Sequence, residues 1–253
     1  MTMPRHRVRQ CFIGFCIIAT TVLSACAGNI PAAPKDQRAE TDPWEPLNRR
    51  VSNFNKGFDS VTFKPLAMGY YKVVPGFAQT GVNNFSKNLR GPLNSINNFL
   101  QGKPARGFDE TARFLIKSIF GIGGLFDIAT MNGLESSPET FGETFAVWGI
   151  PDGPFVTVPI FGPRTLSGVF AIPLNFLVDP LFHVDNNTTK WVIYGIRAID
   201  LRMRLFAAEK LIAGSNDRYL TVRESFLQNR QYRIYDGDPP EDEDFYEDFL
   251  EEE

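Results

Sequence analysis

The chain has 253 residues, enough for one large domain or two small ones. Its net charge of −3 is unevenly placed: residues 236–253 hold eleven acids and no base, which leaves +8 on residues 1–235. Three cysteines and two histidines leave little material for metal or nucleophilic chemistry.

Arg5, Arg7 and Arg9 precede an apolar run, Cys11 to Val22, that is short for a membrane-crossing helix. Leu23-Ser24-Ala25-Cys26 follows and resembles a bacterial lipobox, in which the cysteine receives a diacylglycerol and the leader is cut before it. The alternatives are an ordinary signal peptide cut after Ala25, or a short membrane anchor. Ala27 after the cysteine implies, for a Gram-negative lipoprotein, export to the outer membrane. Cys11 and Cys16 leave with the leader and Cys26 is spent on lipid, so no thiol remains for a disulfide, a zinc site or a nucleophile. His183, between Phe182 and Val184, is the only histidine outside the leader and reads as a packing or interfacial residue. No GxSxG elbow accompanies it, which argues against a hydrolase. Without the three leader arginines the body keeps about +5, a balance that suits an anionic lipid surface.

Residues 26–41 are the lipidated cysteine and a polar linker, able to reach about 50 Å when extended. A folded domain is expected over 42–235, and a disordered acidic tail over 236–253. Asp42 is placed as an N-cap, with Pro43 at the first helical position and Glu45 three residues on. Trp44, Leu47, Val51, Phe54 and Phe58 then recur at helical spacing, with Asn48, Arg49, Arg50, Ser52, Asn55 and Lys56 on the opposite face. A short segment runs to Val74 and turns at Pro75-Gly76. Ala78, Val82, Phe85 and Leu89 form the next stripe, stopped by Gly91-Pro92, and Leu93, Ile96 and Leu100 another, stopped by Gly102.

Pro104 to Phe120 is the clearest amphipathic helix, with Phe108, Leu115, Ile116 and Ile119 on one side and Arg106, Asp109, Glu110, Arg113 and Lys117 off it. Gly121-Ile122-Gly123-Gly124 follows. Gly121, Gly123 and Gly124 are candidates for a hinge; the other reading is a helix C-cap with close packing. Phe141 to Gly168 carries only three charges in 28 residues and is too broken by Gly and Pro for one helix. Ser137-Pro138-Glu139 starts a helix toward Trp148. Residues 154–161 alternate like a strand, though Pro159 argues against a central one. A short helix spans Leu174 to Phe182, broken at Pro180. The longest helix runs Thr188 to Ala213, with Asp200 and Arg204 spaced for an i,i+4 pair. A last helix covers about 216–233. The sum is a mainly α-helical single domain.

Two features sit oddly in a water-soluble bundle. Phenylalanine is very frequent, 23 in all, and residues 48–98 are rich in uncharged asparagine, normally a turn and cap residue. Either these asparagines serve caps and turns, or their faces line something polar and sheltered, such as a narrow aqueous path. Asn48, Asn53, Asn55, Arg197 and Arg204, all off the apolar stripes, are the candidate residues for such a wall.

The sequence resembles the MlaA (VacJ) family of outer-membrane lipoproteins. The resemblance rests on the lipobox, on Asp42-Pro43-Trp44-Glu45-Pro46-Leu47-Asn48-Arg49 with Asn53-Phe54-Asn55, on Val82-Asn83-Asn84-Phe85 with Asn88-Leu89, and on Asn98-Phe99-Leu100-Gln101-Gly102. It continues through Gly121 to Ala129, Phe141-Gly142-Glu143-Thr144 to Gly149, Gly153-Pro154-Phe155 to Gly162, and Asp217 to Glu224. It covers about residues 42–235. The resemblance implies an all-α ring of short amphipathic helices lying in the membrane plane around a central amphipathic channel, with little or no strand. It implies a non-enzymatic, cofactor-free lipoprotein that associates with a trimeric porin. Such a protein passes mislocalised phospholipid from the outer leaflet to the periplasmic carrier MlaC. No nucleic acid is implied. Two other functions remain open: a structural porin- or envelope-associated lipoprotein that moves nothing, and a membrane-bound lipid hydrolase.

Overall fold

The computed structural model describes residues 42–239. The leader, Cys26, the linker up to residue 41 and the tail from residue 240 lie outside the described residues. The chain runs α1 (Glu45–Val61), α2 (Phe63–Val73), α3 (Gly76–Asn88), α4 (Gly91–Leu100), α5 (Pro104–Ile119), α6 (Ile128–Met131) and α7 (Phe141–Val147). A hairpin follows, β1 (Phe155–Val158) and β2 (Gly162–Thr165), then α8 (Leu166–Val178), a 3-10 turn at Pro180–His183, α9 (Asn187–Arg204), α10 (Phe206–Ile212) and α11 (Arg218–Ile234). The fold is helical, as expected, with one two-stranded antiparallel sheet.

Most breaks fall where the sequence demands them. Pro75, the Gly91-Pro92 pair and Pro104 each sit at a helix start, where a missing N–H costs nothing. Thr140 and Glu143 close a reciprocal capping box that begins α7. Asp217 accepts from the N–H groups of Tyr219 and Leu220 and starts α11.

Four expectations shift. α1 begins at Glu45 without a side-chain cap, because the Asp42 carboxylate is drawn instead into contacts with Asn48, Tyr219 and Arg223. The strand over 154–161 is real: Pro159 falls in the hairpin loop, so no ladder hydrogen bond is lost. The helix expected from Leu174 starts earlier, at Leu166, capped by the Thr165 hydroxyl, and carries Pro173 inside it. The long helix to Ala213 is two, α9 and α10, meeting at Leu205.

Burial is inverted. Among the described residues, 19 polar or charged side chains are buried against eight apolar ones, while 35 large apolar side chains are exposed. Asn97 and Asn98 are wholly enclosed, whereas Phe108 and Ile119 on the neighbouring α5 each keep 67 % of their surface open. A water-soluble fold would place them the other way round. The apolar stripes read from the sequence are correct as helix faces, but many of their large side chains, Phe54, Phe108, Leu115 and Ile119 among them, are exposed.

Candidate functional site

The polar interior is best seen between α4 and α5, which pack side by side. Asn94, Ser95, Asn97 and Asn98 come from α4; Glu110, Arg113 and Lys117, one to two turns apart, form a single face of α5. Asn94 donates to Glu110 at 3.0 Å, and the Ser95 hydroxyl bonds the Gly107 carbonyl at 3.0 Å. The second Glu110 oxygen accepts from the Ser136 hydroxyl at 2.9 Å and the Ser137 N–H at 2.5 Å. Arg113 donates to the Leu134 carbonyl and to Thr130, and Lys117 reaches Asp127 at 3.3 Å. Burial lowers the Lys117 pKa, and Asp127 works against that fall. The charged face of α5 thus holds the loop 127–137 inward, while its apolar face is left to whatever surrounds the protein.

Two asparagines of α1 hold the hairpin. Asn48 donates to the Phe155 carbonyl at 2.9 Å and accepts from the Thr157 N–H at 2.8 Å. Asn55, seven residues on, donates to the Val158 carbonyl at 3.0 Å and accepts from the Ile160 N–H at 2.8 Å. Seven residues are two helical turns, so both amides face the same way. Together they stand in for a third strand along the free edge of β1, an edge that otherwise presents unpaired backbone groups. Asn48 also donates to Asp42 at 2.8 Å. That carboxylate is bonded by Tyr219 and lies 3.4 Å from Arg223, so the start of the domain is tied to α11. Arg49 reinforces the tie through Asp217 at 2.7 Å, its guanidinium lying 4.6 Å over the Tyr219 ring.

The residues singled out as a channel wall are therefore divided. Asn48 is buried and its amide is fully engaged, and Asn55 shares its task at the strand edge. Asn53 is exposed on α1. Arg197 pairs with Asp179 at 2.9 Å and lies 5.7 Å over Tyr194. Arg204 makes the expected i,i+4 pair with Asp200 at 2.9 Å and donates to the Gln79 carbonyl at 3.1 Å. The structure brings Asn48 and Asn55 to one strand edge and leaves the two arginines on separate acids.

The glycine turn after α5 is tightly packed at two positions and open at one. A Cβ at Gly121 would lie 2.4 Å from the Phe126 carbonyl oxygen, and one at Gly124 would lie 2.5 Å from the Cβ of Asn88. Gly123 has open space around it. Ile122, Gly123 and Gly124 all have positive φ, and the Gly123 N–H closes back on the Ser118 carbonyl at 3.0 Å.

Sequence reasoning missed three further arginines, Arg90, Arg164 and Arg233. Arg233 pairs with Glu143 at 3.0 Å, and Arg164 donates to the Pro163 carbonyl at 2.7 Å. The missed signal lay in Glu110, Arg113 and Lys117 as well: a charged stripe opposite an apolar one reads as solvated unless the apolar stripe is known to face hydrocarbon. Among the described residues no group of His, Cys, Asp or Glu is arranged to hold a metal ion, and no helix is long and apolar enough to cross a membrane.

Residues 40–233 match the family model described as MlaA lipoprotein. The chain is 32 % identical over 233 residues to the intermembrane phospholipid transport system lipoprotein MlaA of Escherichia coli (strain K12), covering 87 % of this chain and 88 % of that one. It is 29 % identical to the protein of the same name from Haemophilus influenzae, covering 87 % and 89 % of the two chains. A solved structure from work on the structural basis for maintenance of bacterial outer membrane lipid asymmetry superposes with a TM-score of 0.66 at 32 % identity. That match covers 76 % of this chain and 98 % of that one.

Proposed function

The chain belongs to the MlaA lipoprotein family, and on that premise we propose that it is an intermembrane phospholipid transport lipoprotein that maintains outer-membrane lipid asymmetry. It takes mislocalised phospholipid from the outer leaflet, passes it through a central channel and delivers it to the periplasmic carrier MlaC. The inverted burial carries this reading: among the described residues, polar side chains are gathered inside while 35 large apolar side chains are exposed. Drawing an acyl chain into water costs about 0.8 kcal/mol per CH₂, on the order of 20 kcal/mol for a two-chain lipid. A conduit lowers that cost by offering the headgroup a polar wall while the tails stay in hydrocarbon. Short amphipathic helices with outward apolar faces suit the membrane plane.

On this reading the protein acts by passage and not by bond cleavage, and it needs no cofactor. Cys26 carries the lipid anchor, the linker of residues 27–41 spans the headgroup region, and the domain enters the outer membrane from the periplasmic side beside a trimeric porin. Arg197 and Arg204 offer positive charge on the headgroup's route, Asn53 an exposed polar side chain. Asn48 and Asn55 serve by holding the hairpin. The turn at Gly121, Gly123 and Gly124 acts as a hinge through Gly123, the only one of the three with room around it.

The test is a deletion strain complemented with wild type or with Arg197→Glu, scored by the phospholipid in the outer leaflet accessible to added phospholipase. Wild type should restore asymmetry, and Arg197→Glu at equal protein level should restore it less. A wild-type copy that leaves outer-leaflet phospholipid at the deletion level would support the structural-lipoprotein alternative instead.

A further inference from the structure

Four arginines gather around α8 with too few acids to balance them. Arg90 stands at the start of α4, Arg164 in β2, Arg197 in α9 and Arg233 near the end of α11. The elements that carry Arg90 and Arg164 pack on α8, α11 packs on β2 and α7, and Asp179 caps the α8 C-terminus. Arg197 takes Asp179 and Arg233 takes Glu143. Arg164 reaches only the Pro163 carbonyl, and the Arg90 guanidinium has no hydrogen-bond partner among the described residues. Four guanidinium groups against two carboxylates leave a surplus of two positive charges.

The surroundings sharpen the imbalance. Arg90 lies within electrostatic reach of Arg197, Arg233, Arg164 and Asp179, and Arg164 within reach of Glu143 and Arg233. Arg90 is exposed and Arg164 half-buried. Both are also enclosed enough by protein that burial pulls them below the usual arginine value. The cluster is thus crowded by protein on one side and open to solvent on the other. Two buried polar atoms beside this cluster have no partner among the described residues: Nε of Arg233 and the hydroxyl of Tyr194, the ring that underlies Arg197. Orphaned polar groups and facing like charges are both costly in such surroundings. An anion with several acceptor oxygens removes both costs at once, and guanidinium groups match phosphate in geometry and charge.

We propose that the cluster of Arg90, Arg164, Arg197 and Arg233 is a headgroup-selecting site for acidic phospholipid, a phosphodiester without a compensating ammonium. The inference rests on the lipid-transport reading and narrows it. A zwitterionic headgroup brings its own cation into a site that already has two too many, so phosphatidylglycerol is held in preference to phosphatidylethanolamine.

The test uses the full-length lipoprotein purified in neutral detergent doped with equal amounts of the two lipids, with the bound lipids extracted and quantified. Wild type should carry an excess of phosphatidylglycerol over phosphatidylethanolamine. Arg90→Gln should lower that ratio roughly ten-fold, equivalent to about 1.4 kcal/mol. Since Arg90 makes no side-chain hydrogen bond among the described residues, the variant should melt like wild type, and Arg90→Lys should fall between the two. Arg218→Gln, which removes an equal charge from an exposed position on α11, should leave the ratio unchanged. An unchanged ratio in Arg90→Gln, or an equal fall in Arg218→Gln, would overturn the proposal. If millimolar inorganic phosphate displaces the phosphatidylglycerol, the site takes free phosphate and the lipid assignment fails. If wild type binds neither lipid, the transport reading itself fails; if it binds both equally, only the selectivity does.

Discussion

Phe77 on α3 and Leu211 on α10 offer a direct test of the inverted fold, because 81 % and 82 % of their surfaces are open. Full burial of such a side chain stabilises by about 1.5–3 kcal/mol. Four-fifths of that, left for the bilayer to supply, is roughly 2 kcal/mol at each position. Replacing both with Glu in a Cys26→Ser background, which removes the proposed lipid anchor, should therefore weaken membrane binding by about 4 kcal/mol, near a thousand-fold. The assay is flotation with vesicles of phosphatidylethanolamine and phosphatidylglycerol, alongside thermal melts in detergent followed by circular dichroism. Flotation should collapse while the melting temperature moves by no more than a few degrees, because these side chains touch little protein. The opposite pattern would refute the reasoning. If Phe77 and Leu211 packed inside the fold, the loss of 4 kcal/mol would lower the melting temperature by roughly 8–16 °C and leave flotation unchanged.

Other consequences can be read from single side chains. Asn48→Ala strands the Phe155 carbonyl and the Thr157 N–H in a buried place and should cost about 3 kcal/mol in urea titrations, whereas Asn55→Ala, whose partners are more open to water, should cost about 1 kcal/mol; equal costs would contradict the strand-edge account. Gly124→Ala drives a Cβ into Asn88 at positive φ and should lower stability by about 3 kcal/mol, while Gly123→Ala, in open space, should cost about 1 kcal/mol from backbone conformation alone. Glu209 is held down to a pKa of about 2 by its bond from Lys64, joined by Arg202. Its contribution is fully present above the ordinary glutamate pKa of about 4.5 and fades as pH falls toward 2. The melting temperature of wild type should therefore exceed that of Glu209→Gln at neutral pH and converge with it in acid, and a gap that is constant with pH would remove Glu209 from the linkage.

Much of this fold is legible from periodicity and punctuation. The stripes of Val51, Phe54 and Phe58, or of Phe108, Leu115 and Ile119, give helices of the right length, and Pro75, Gly91-Pro92 and Pro104 place their starts. Which way a stripe faces is another matter. The 3.6-residue period records that a helix separates apolar from polar side chains, and it is the same for water outside and for hydrocarbon outside. The misread elements follow from interactions that sequence distance hides. Asp42 looks like a cap until Tyr219 and Arg223, more than 170 residues later, compete for its carboxylate. Asn48 and Asn55 look like a polar face until β1 supplies the backbone groups they bond.

The asparagine excess, beside the frequency of phenylalanine, is the signal in the sequence that tells the two orientations apart. A solvated face is cheapest to build from Lys, Glu and Arg, which water hydrates well and helices tolerate. Uncharged amides become useful where a polar group must be enclosed, because an amide can donate and accept at once and brings no charge to be neutralised. Asn48, Asn88, Asn94, Asn97 and Asn98 are all buried. Each donates a hydrogen bond inside the protein. Charges do enter this interior, but in company: Glu110 with Asn94 and Ser136, and Lys117 with Asp127. Arg90, which is exposed, and Arg164, which is half-buried and reaches only the Pro163 carbonyl, are the exceptions: neither has an acid partner among the described residues. Pairing the enclosed charges while leaving these two open to solvent is what a site requires when its missing partner arrives from outside.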